Sequence, residues 1–148
     1  MQFGWINLIG ALIVIIMMIP NLIYARKRTF ENSVRIPKWV VILEQVGRYA
    51  SLLLMVLPLG VWEFGFPSVF ALLCYLLLNG ILLAGYLLVW GSYFRKETRC
   101  RAMILAILPV GIFLISGICL HHWLLVCASI LFAVGHITVT CRNHSDQI

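Results

Sequence analysis

The chain has 148 residues, of which 63% are hydrophobic and 11% are charged, and its formal net charge is +6. A soluble globular protein is about half apolar and about a quarter charged, and a soluble domain of this size buries only about two-thirds of its chain surface. The composition therefore excludes an ordinary soluble domain and indicates that lipid is the solvent.

Five apolar segments follow one another along the chain, and a membrane-spanning helix needs about 20 mostly apolar residues. The first segment has no Lys or Arg before it and no small-residue cleavage site after it, so we expect a retained helix rather than a signal peptide. The sequence therefore predicts an all-α fold, with residues 1–148 forming a single polytopic transmembrane domain. The five predicted spans are about 3–25, 39–61, 68–93, 102–120 and 124–141.

The basic residues predict the orientation of these spans. Of the 11 Lys and Arg residues, all except Arg48 fall at one end of the predicted bundle. Basic loops remain in the cytoplasm when a membrane protein inserts. We therefore predict an integral protein of the cell membrane, with its N-terminus outside and its C-terminus in the cytoplasm.

The lipid bilayer is the first expected partner of such a chain. Basic side chains at the cytoplasmic surface attract anionic lipid headgroups. The sorting of basic residues into loops that follow or precede apolar spans is a topology signal, so we expect no nucleic-acid partner. The residues expected at the headgroups are Arg26, Lys27, Arg28, Arg95 and Lys96.

Two charged residues fall inside the second predicted span. An ionisable residue at the centre of a membrane helix costs about 2.5–3.5 kcal/mol on insertion scales. Glu44 and Arg48 are four residues apart, so they share a helix face and can pair. Gly47 and Ser51 border that face, and small residues there allow a second helix to approach closely.

Other polar residues lie at a similar predicted depth. Asn21 and Tyr24 are near the cytoplasmic end of the first span, and Asn79 is near the middle of the third. His136 and Thr140 lie on one face of the fifth span. If the first, second and fifth helices are neighbours, these side chains form a cavity open to the cytoplasm.

Two interpretations of this polar group remain open. In the functional one, Arg48 binds an anionic group while Glu44 or His136 exchanges protons. In the structural one, Glu44 and Arg48 only neutralise each other, and His136 bonds a carbonyl to hold the bundle together.

Motifs for metal binding and catalysis are weak. His121 and His122 are adjacent, but no carboxylate or third ligand lies near them in sequence. The five cysteines form no C-x-x-C pair, and their odd number does not favour a disulfide framework. A nucleophile elbow, an H-E-x-x-H motif and a Gly-rich phosphate loop are all lacking. We therefore expect no cofactor and favour a protein that is not an enzyme.

Three hypotheses for function follow, without a named substrate. The first is a protein that binds or transports a small solute through the cytoplasm-facing polar cavity. Five spans form a thin bundle that does not divide into an even inverted repeat, so transport would need a homo-oligomer or a larger membrane complex. The second is an accessory or scaffolding subunit, and the third is a membrane-embedded enzyme.

Overall fold

Five α-helices account for most of the described residues in the computed structural model, which covers residues 4, 6–27, 36–57, 59–60 and 65–143. Each helix is long and apolar enough to cross a membrane. The predicted all-α class and the number of apolar helices are confirmed for this part of the chain. The helices are α1 (Leu8–Lys27), α2 (Lys38–Val56), α3 (Val69–Arg95), α4 (Arg99–Cys119) and α5 (Trp123–Asn143).

The helix ends differ from the predicted spans by a few residues, for local reasons. Helix α2 ends at Val56, five residues early, because Leu57 is extended (φ −108°, ψ 123°) and Pro58 disfavours a helical residue before it. Helix α4 begins three residues before its predicted start because Thr98 caps its first turn, its hydroxyl accepting a backbone N–H. The first three residues of the chain and Arg28 lie outside the described part.

The helices pack in the order α1, α2, α5, α4, α3 around the bundle, and α3 returns to α1. The closest pairs are α2 with α5, α3 with α4, and α4 with α5, whereas α1 packs more lightly on α2 and α3. Successive helices run in opposite directions, so α1, α3 and α5 end at the same side. We call that side the basic end and the opposite one the N-terminal end. Described basic residues at the basic end are Arg26, Lys27, Lys38, Arg95, Lys96, Arg99, Arg101 and Arg142.

Two glycines let α2 and α5 touch through their backbones. A Cβ atom on Gly47 would lie 2.4 Å from the backbone nitrogen of Phe132, and one on Gly135 would lie 2.6 Å from the Cα of Glu44. Ordinary van der Waals contact begins near 3.4 Å. The expectation that small residues beside Glu44 admit a second helix at close range is confirmed, and that helix is α5.

The outer surface of the bundle is apolar on all of its helices. Large side chains such as Ile15, Ile42, Leu77, Leu88 and Val134 are more than half exposed. A soluble monomer rarely exposes so continuous an apolar surface. Together with the five apolar helices, this surface indicates a membrane-embedded protein.

Candidate functional site

A charged triad lies between α2 and α5. Glu44 of α2 is buried, and its Oε1 accepts hydrogen bonds from the guanidinium of Arg48 one turn later and from Nδ1 of His136 on α5, at 2.8 Å. An ionised carboxylate can only accept hydrogen bonds, so the Nδ1 atom of His136 carries the proton of this bond. The structure thus brings together three residues that the sequence analysis proposed for one site.

The three side chains differ in their exposure. Glu44 is 6% exposed, whereas His136 is 22% and Arg48 is 36% exposed. The carboxylate is therefore the inner member of the triad, and the guanidinium is the outer one. At about 1.5 Å per residue, Glu44 lies about 9 Å and Arg48 about 15 Å from the start of α2. Since the hydrocarbon core is about 30 Å thick, Arg48 is near the middle of the span.

Phe132 contacts two members of the triad, and the sequence analysis did not identify it. Its ring stacks on the imidazole of His136 with a centroid distance of 4.7 Å, and the guanidinium carbon of Arg48 lies 5.9 Å from its centroid. Its contact with His136 could have been predicted from the sequence, because Phe132 lies four residues before His136 and therefore on the same helix face. Thr140, one turn beyond His136, is half-buried on α5.

Asn21 and Tyr24 lie against α3 rather than against the triad. The amide of Asn21 donates to the hydroxyl of Tyr86 at 2.7 Å and to a carbonyl of its own helix at 3.0 Å. The hydroxyls of Tyr24 and Tyr93 are 3.4 Å apart, and the ring of Tyr24 packs on Trp90 at 5.4 Å. These three aromatic residues of α3, Tyr86, Trp90 and Tyr93, lie in an apolar run of the sequence. Nothing in that run predicted that they would contact α1.

The first helix makes polar contacts with α3 at both of its ends and with α2 at its N-terminal end. At the N-terminal end, Asn7 donates from its backbone N–H to the carbonyl of Val56 on α2 at 2.9 Å and from its side-chain amide to the Tyr75 hydroxyl on α3 at 3.4 Å. The polar contacts of Asn21 and Tyr24 near the basic end are to α3. Arg48 on α2 and Tyr86 on α3 lie at a similar depth, about 15 Å and about 14 Å from the basic ends of their helices at about 1.5 Å per residue. Arg48 and the Asn21–Tyr86 pair therefore lie at a similar level in the bundle. The main neighbours of α1 are α2 and α3, so the expected contact between the first and fifth helices is not among the principal ones.

Asn79 belongs to a separate, uncharged network in the N-terminal half. Its amide donates to the carbonyl of Tyr75 at 2.9 Å, and its Oδ1 accepts from the hydroxyl of Ser116 on α4 at 3.2 Å. Asn7 donates to the Tyr75 hydroxyl at 3.4 Å and to the carbonyl of Met55 at 3.2 Å. All four polar residues are at most 2% exposed. The network joins α1, α2, α3 and α4 and places neutral groups where the sequence analysis expected part of the candidate site.

The adjacent histidines at the N-terminal end hold a connection in place. His122 is fully buried, and its Nε2 lies 2.8 Å from the carbonyl of Leu59, in the connection between α2 and α3. His121 has a positive φ of 53°, which turns the chain from α4 into α5. Among the described residues there is no group of three His, Cys, Asp or Glu that could hold a metal ion.

The triad offers two kinds of chemistry. A carboxylate bonded to an imidazole can share or exchange a proton, and a partly exposed guanidinium with unused N–H groups can bind an oxyanion.

Comparison of the chain with protein-family models, with curated proteins and with solved structures gives no match.

Proposed function

We propose that this protein binds or transports a small solute at the triad of Glu44, Arg48 and His136. The site opens toward the basic end, which faces the cytoplasm of a cell membrane, while the N-terminus lies outside. This orientation follows from the separation of the basic residues.

The observation that carries the proposal is a charged triad near the middle of the span whose outer member remains partly exposed. A pair that served only to neutralise charge would be best buried completely, because ionised groups are costly in hydrocarbon. Glu44 meets this condition, but Arg48 keeps 36% of its side chain exposed. Asn21, which lies at a similar level in the bundle, is also exposed. A polar, hydrated entrance accounts for both.

The two halves of the bundle have different roles in a cavity that opens to one side only. The N-terminal half contains the neutral network of Asn7, Tyr75, Asn79 and Ser116, in which each polar group has a partner. Satisfied buried networks make a helix bundle rigid. In the proposed cavity, this half is closed, and the basic half, where α1 packs against α3, is open.

The surroundings of the basic end fit a bilayer partner. Arg26, Lys27, Arg95 and Lys96 are exposed there, and the ammonium of Lys27 lies 5.3 Å from the ring centre of Phe94. Long basic side chains at a helix end reach the headgroup region while their stems stay in lipid. Anionic lipid headgroups are therefore the proposed partners of these residues, and Arg28 is included with them on sequence grounds. We further propose that the thin bundle works as a homo-oligomer or within a larger membrane complex.

Cysteine accessibility in intact membranes tests the hydrated entrance. Single cysteines are placed at Gln45, Ile42 and Asn79 in a cysteine-free background and exposed to a membrane-impermeant, charged thiol reagent. Gln45 precedes Arg48 by one turn on the same edge of α2, so Gln45→Cys leaves the triad intact. Ile42 is the matched control, because it lies on α2 and is 61% exposed but on the outward apolar face.

We expect the cysteine at position 45 to react from the basic side, and those at positions 42 and 79 to stay protected. Labelling at 45 that is no faster than at 42 would mean that the triad is dry, and the binding proposal would fail. Labelling of 45 from the N-terminal side alone would reverse the proposed orientation.

A second candidate function, that of an accessory subunit, rests on α3. A Cβ atom on Gly80, Gly85 or Gly91 would meet nothing within 4 Å, so these glycines serve no packing within the bundle. Glycine in a helix costs about 0.5–1 kcal/mol relative to alanine, and small residues on a membrane helix favour close contact with another helix. Bulky substitutions at these three positions would abolish copurification of a partner subunit under this alternative, and they would leave a solute-binding protein unaffected.

A further inference from the structure

Resting on the proposed function, we propose that the solute is a small monovalent oxyanion of the carboxylate class, which binds to Arg48 together with one proton taken up by His136. The inference concerns the chemical class of the solute and its coupling to protons. It follows from the unused hydrogen-bonding groups, the depth of the site and its charge.

The Arg48 guanidinium supplies unused hydrogen-bond donors at the triad. Of the five N–H groups of the Arg48 guanidinium, the described residues accept only through Glu44. Glu44, the carboxylate of the triad, already accepts from two groups. A ligand that completes the hydrogen bonding of Arg48 must supply acceptors, which a carboxylate does and a cation does not.

The depth of the site selects a free anion over a lipid headgroup. Arg48 is about 15 Å from the basic end of α2, and lipid phosphates lie outside a hydrocarbon core about 30 Å thick. A phosphate at the membrane surface is therefore about half the membrane away from the guanidinium. A small solute of a few heavy atoms can travel this distance through a polar crevice.

The charge of the triad requires a proton with the anion. Glu44 and Arg48 sum to zero, so a bound monoanion alone would leave one uncompensated negative charge near the middle of the membrane. Such a charge is costly. His136 donates from Nδ1 to Glu44, which leaves Nε2 with a lone pair. When Nε2 binds a proton from water, the anion, Glu44, Arg48 and His136 together are neutral.

The groups that face His136 leave it as the proton acceptor. Helix α2 presents Glu44, already paired, and Arg48, which stays protonated at all relevant pH values. Helix α4 has no ionisable side chain between Arg101 and Cys119, and on α5 itself the nearest ionisable group toward the basic end is Cys141. On α3, Tyr86 lies at a similar level to Arg48 and is held by Asn21 at 2.7 Å.

Acetate is the probe for the test, with choline as a cationic control. Binding to the purified full-length protein is measured calorimetrically at pH 6 and pH 8, in two buffers that differ in ionisation enthalpy, so that proton uptake is counted directly. The protein is studied in neutral detergent and then in phosphatidylcholine discs with and without phosphatidylglycerol. The variants are Glu44→Gln with Arg48→Gln, and His136→Gln, and the control is His121→Gln at the other end of the bundle.

We expect acetate to bind with uptake of one proton, and its affinity to fall up to tenfold per pH unit toward alkaline pH. His136→Gln can keep the bond to Glu44 but cannot take up the proton, so its acetate binding should be weaker and independent of pH. The double variant should not bind acetate, and His121→Gln should behave as the unmodified protein. Melting curves show that each variant is folded.

Other results would separate this inference from the proposed function. Acetate binding without proton uptake, or binding of choline instead, would overturn the inference and leave the solute site standing. Loss of acetate binding when phosphatidylglycerol is added would identify a lipid phosphate as the occupant and overturn the choice of a free anion. Equal binding by the double variant would overturn both, because the triad would then not be the site.

Discussion

Replacing Gly135 with alanine should weaken the bundle at the seam between α2 and α5. The added Cβ would lie 2.6 Å from both the backbone nitrogen and the Cα of Glu44, and 2.8 Å from its Cβ. Carbon atoms in contact prefer about 3.5–4.0 Å, so α5 must move away from α2 by about 1 Å. No flexible side chain can absorb the shift, because two of the three contacts are to backbone atoms.

The expected loss in stability follows from two opposing terms. Overpacking a close contact typically costs about 1–3 kcal/mol, and a backbone contact that cannot relax belongs in the upper part of this range. Alanine recovers about 0.5–1 kcal/mol over glycine in a helix. We therefore expect Gly135→Ala to lower the free energy of unfolding by about 1–2 kcal/mol, measured by denaturation of the purified protein in detergent micelles.

Gly80→Ala provides the matched control, because its added Cβ would meet nothing within 4 Å. It makes the same chemical change on another apolar helix, so it should leave stability unchanged or raise it slightly. Equal stability of Gly135→Ala and the unmodified protein would refute the close backbone contact. An equal loss in both variants would attribute the effect to glycine itself and not to the seam.

Three further substitutions test other parts of the bundle, each measured by the same denaturation. Arg48→Gln alone should cost about 1–3 kcal/mol, because Glu44 loses a charged donor while buried, and combining it with Glu44→Gln should recover part of this loss. Ser116→Ala removes the donor to Asn79 and should cost about 0.6 kcal/mol, the average for hydrogen bonds between membrane helices, and at most about 1.7 kcal/mol. His122→Phe leaves a backbone carbonyl of the α2–α3 connection unpaired, which should cost about 1–3 kcal/mol and speed proteolysis in that connection.

Hydropathy and residue spacing were enough to predict the helices and part of the site. The energetic cost of charge in lipid pointed to Glu44 and Arg48, and the i, i+4 rule predicted their pairing. His136 was proposed from its depth and from the helix face that it shares with Thr140, and the structure places it 2.8 Å from the same carboxylate. These features depend on residues close together in the chain, or on how far a residue lies from the end of its span. Both can be counted from the sequence.

Helix order around the bundle could not be predicted, and it decides the partners of the remaining polar residues. Asn21 and Asn79 lie on helices whose apolar surface is nearly uniform, so no amphipathic face indicated which neighbour each would meet. Their partners, Tyr86 and Ser116, are ordinary members of apolar runs in the sequence. In a membrane both outward and inward faces are apolar, so the pattern that orients a helix in a soluble protein is lost.

The seam between α2 and α5 links the packing of the bundle to the chemistry of its site. Glu44 reaches His136 because Gly135, the residue before it, allows the two backbones to touch. A separation of about 1 Å would lengthen the 2.8 Å bond beyond hydrogen-bonding distance. This side of the site therefore cannot open without losing the triad. The lightly packed side is that of α1, which is hydrogen-bonded to α2 and α3 at its N-terminal end and to α3 alone, among the polar contacts described, toward the basic end. A solute that reaches Arg48 should therefore enter beside α1.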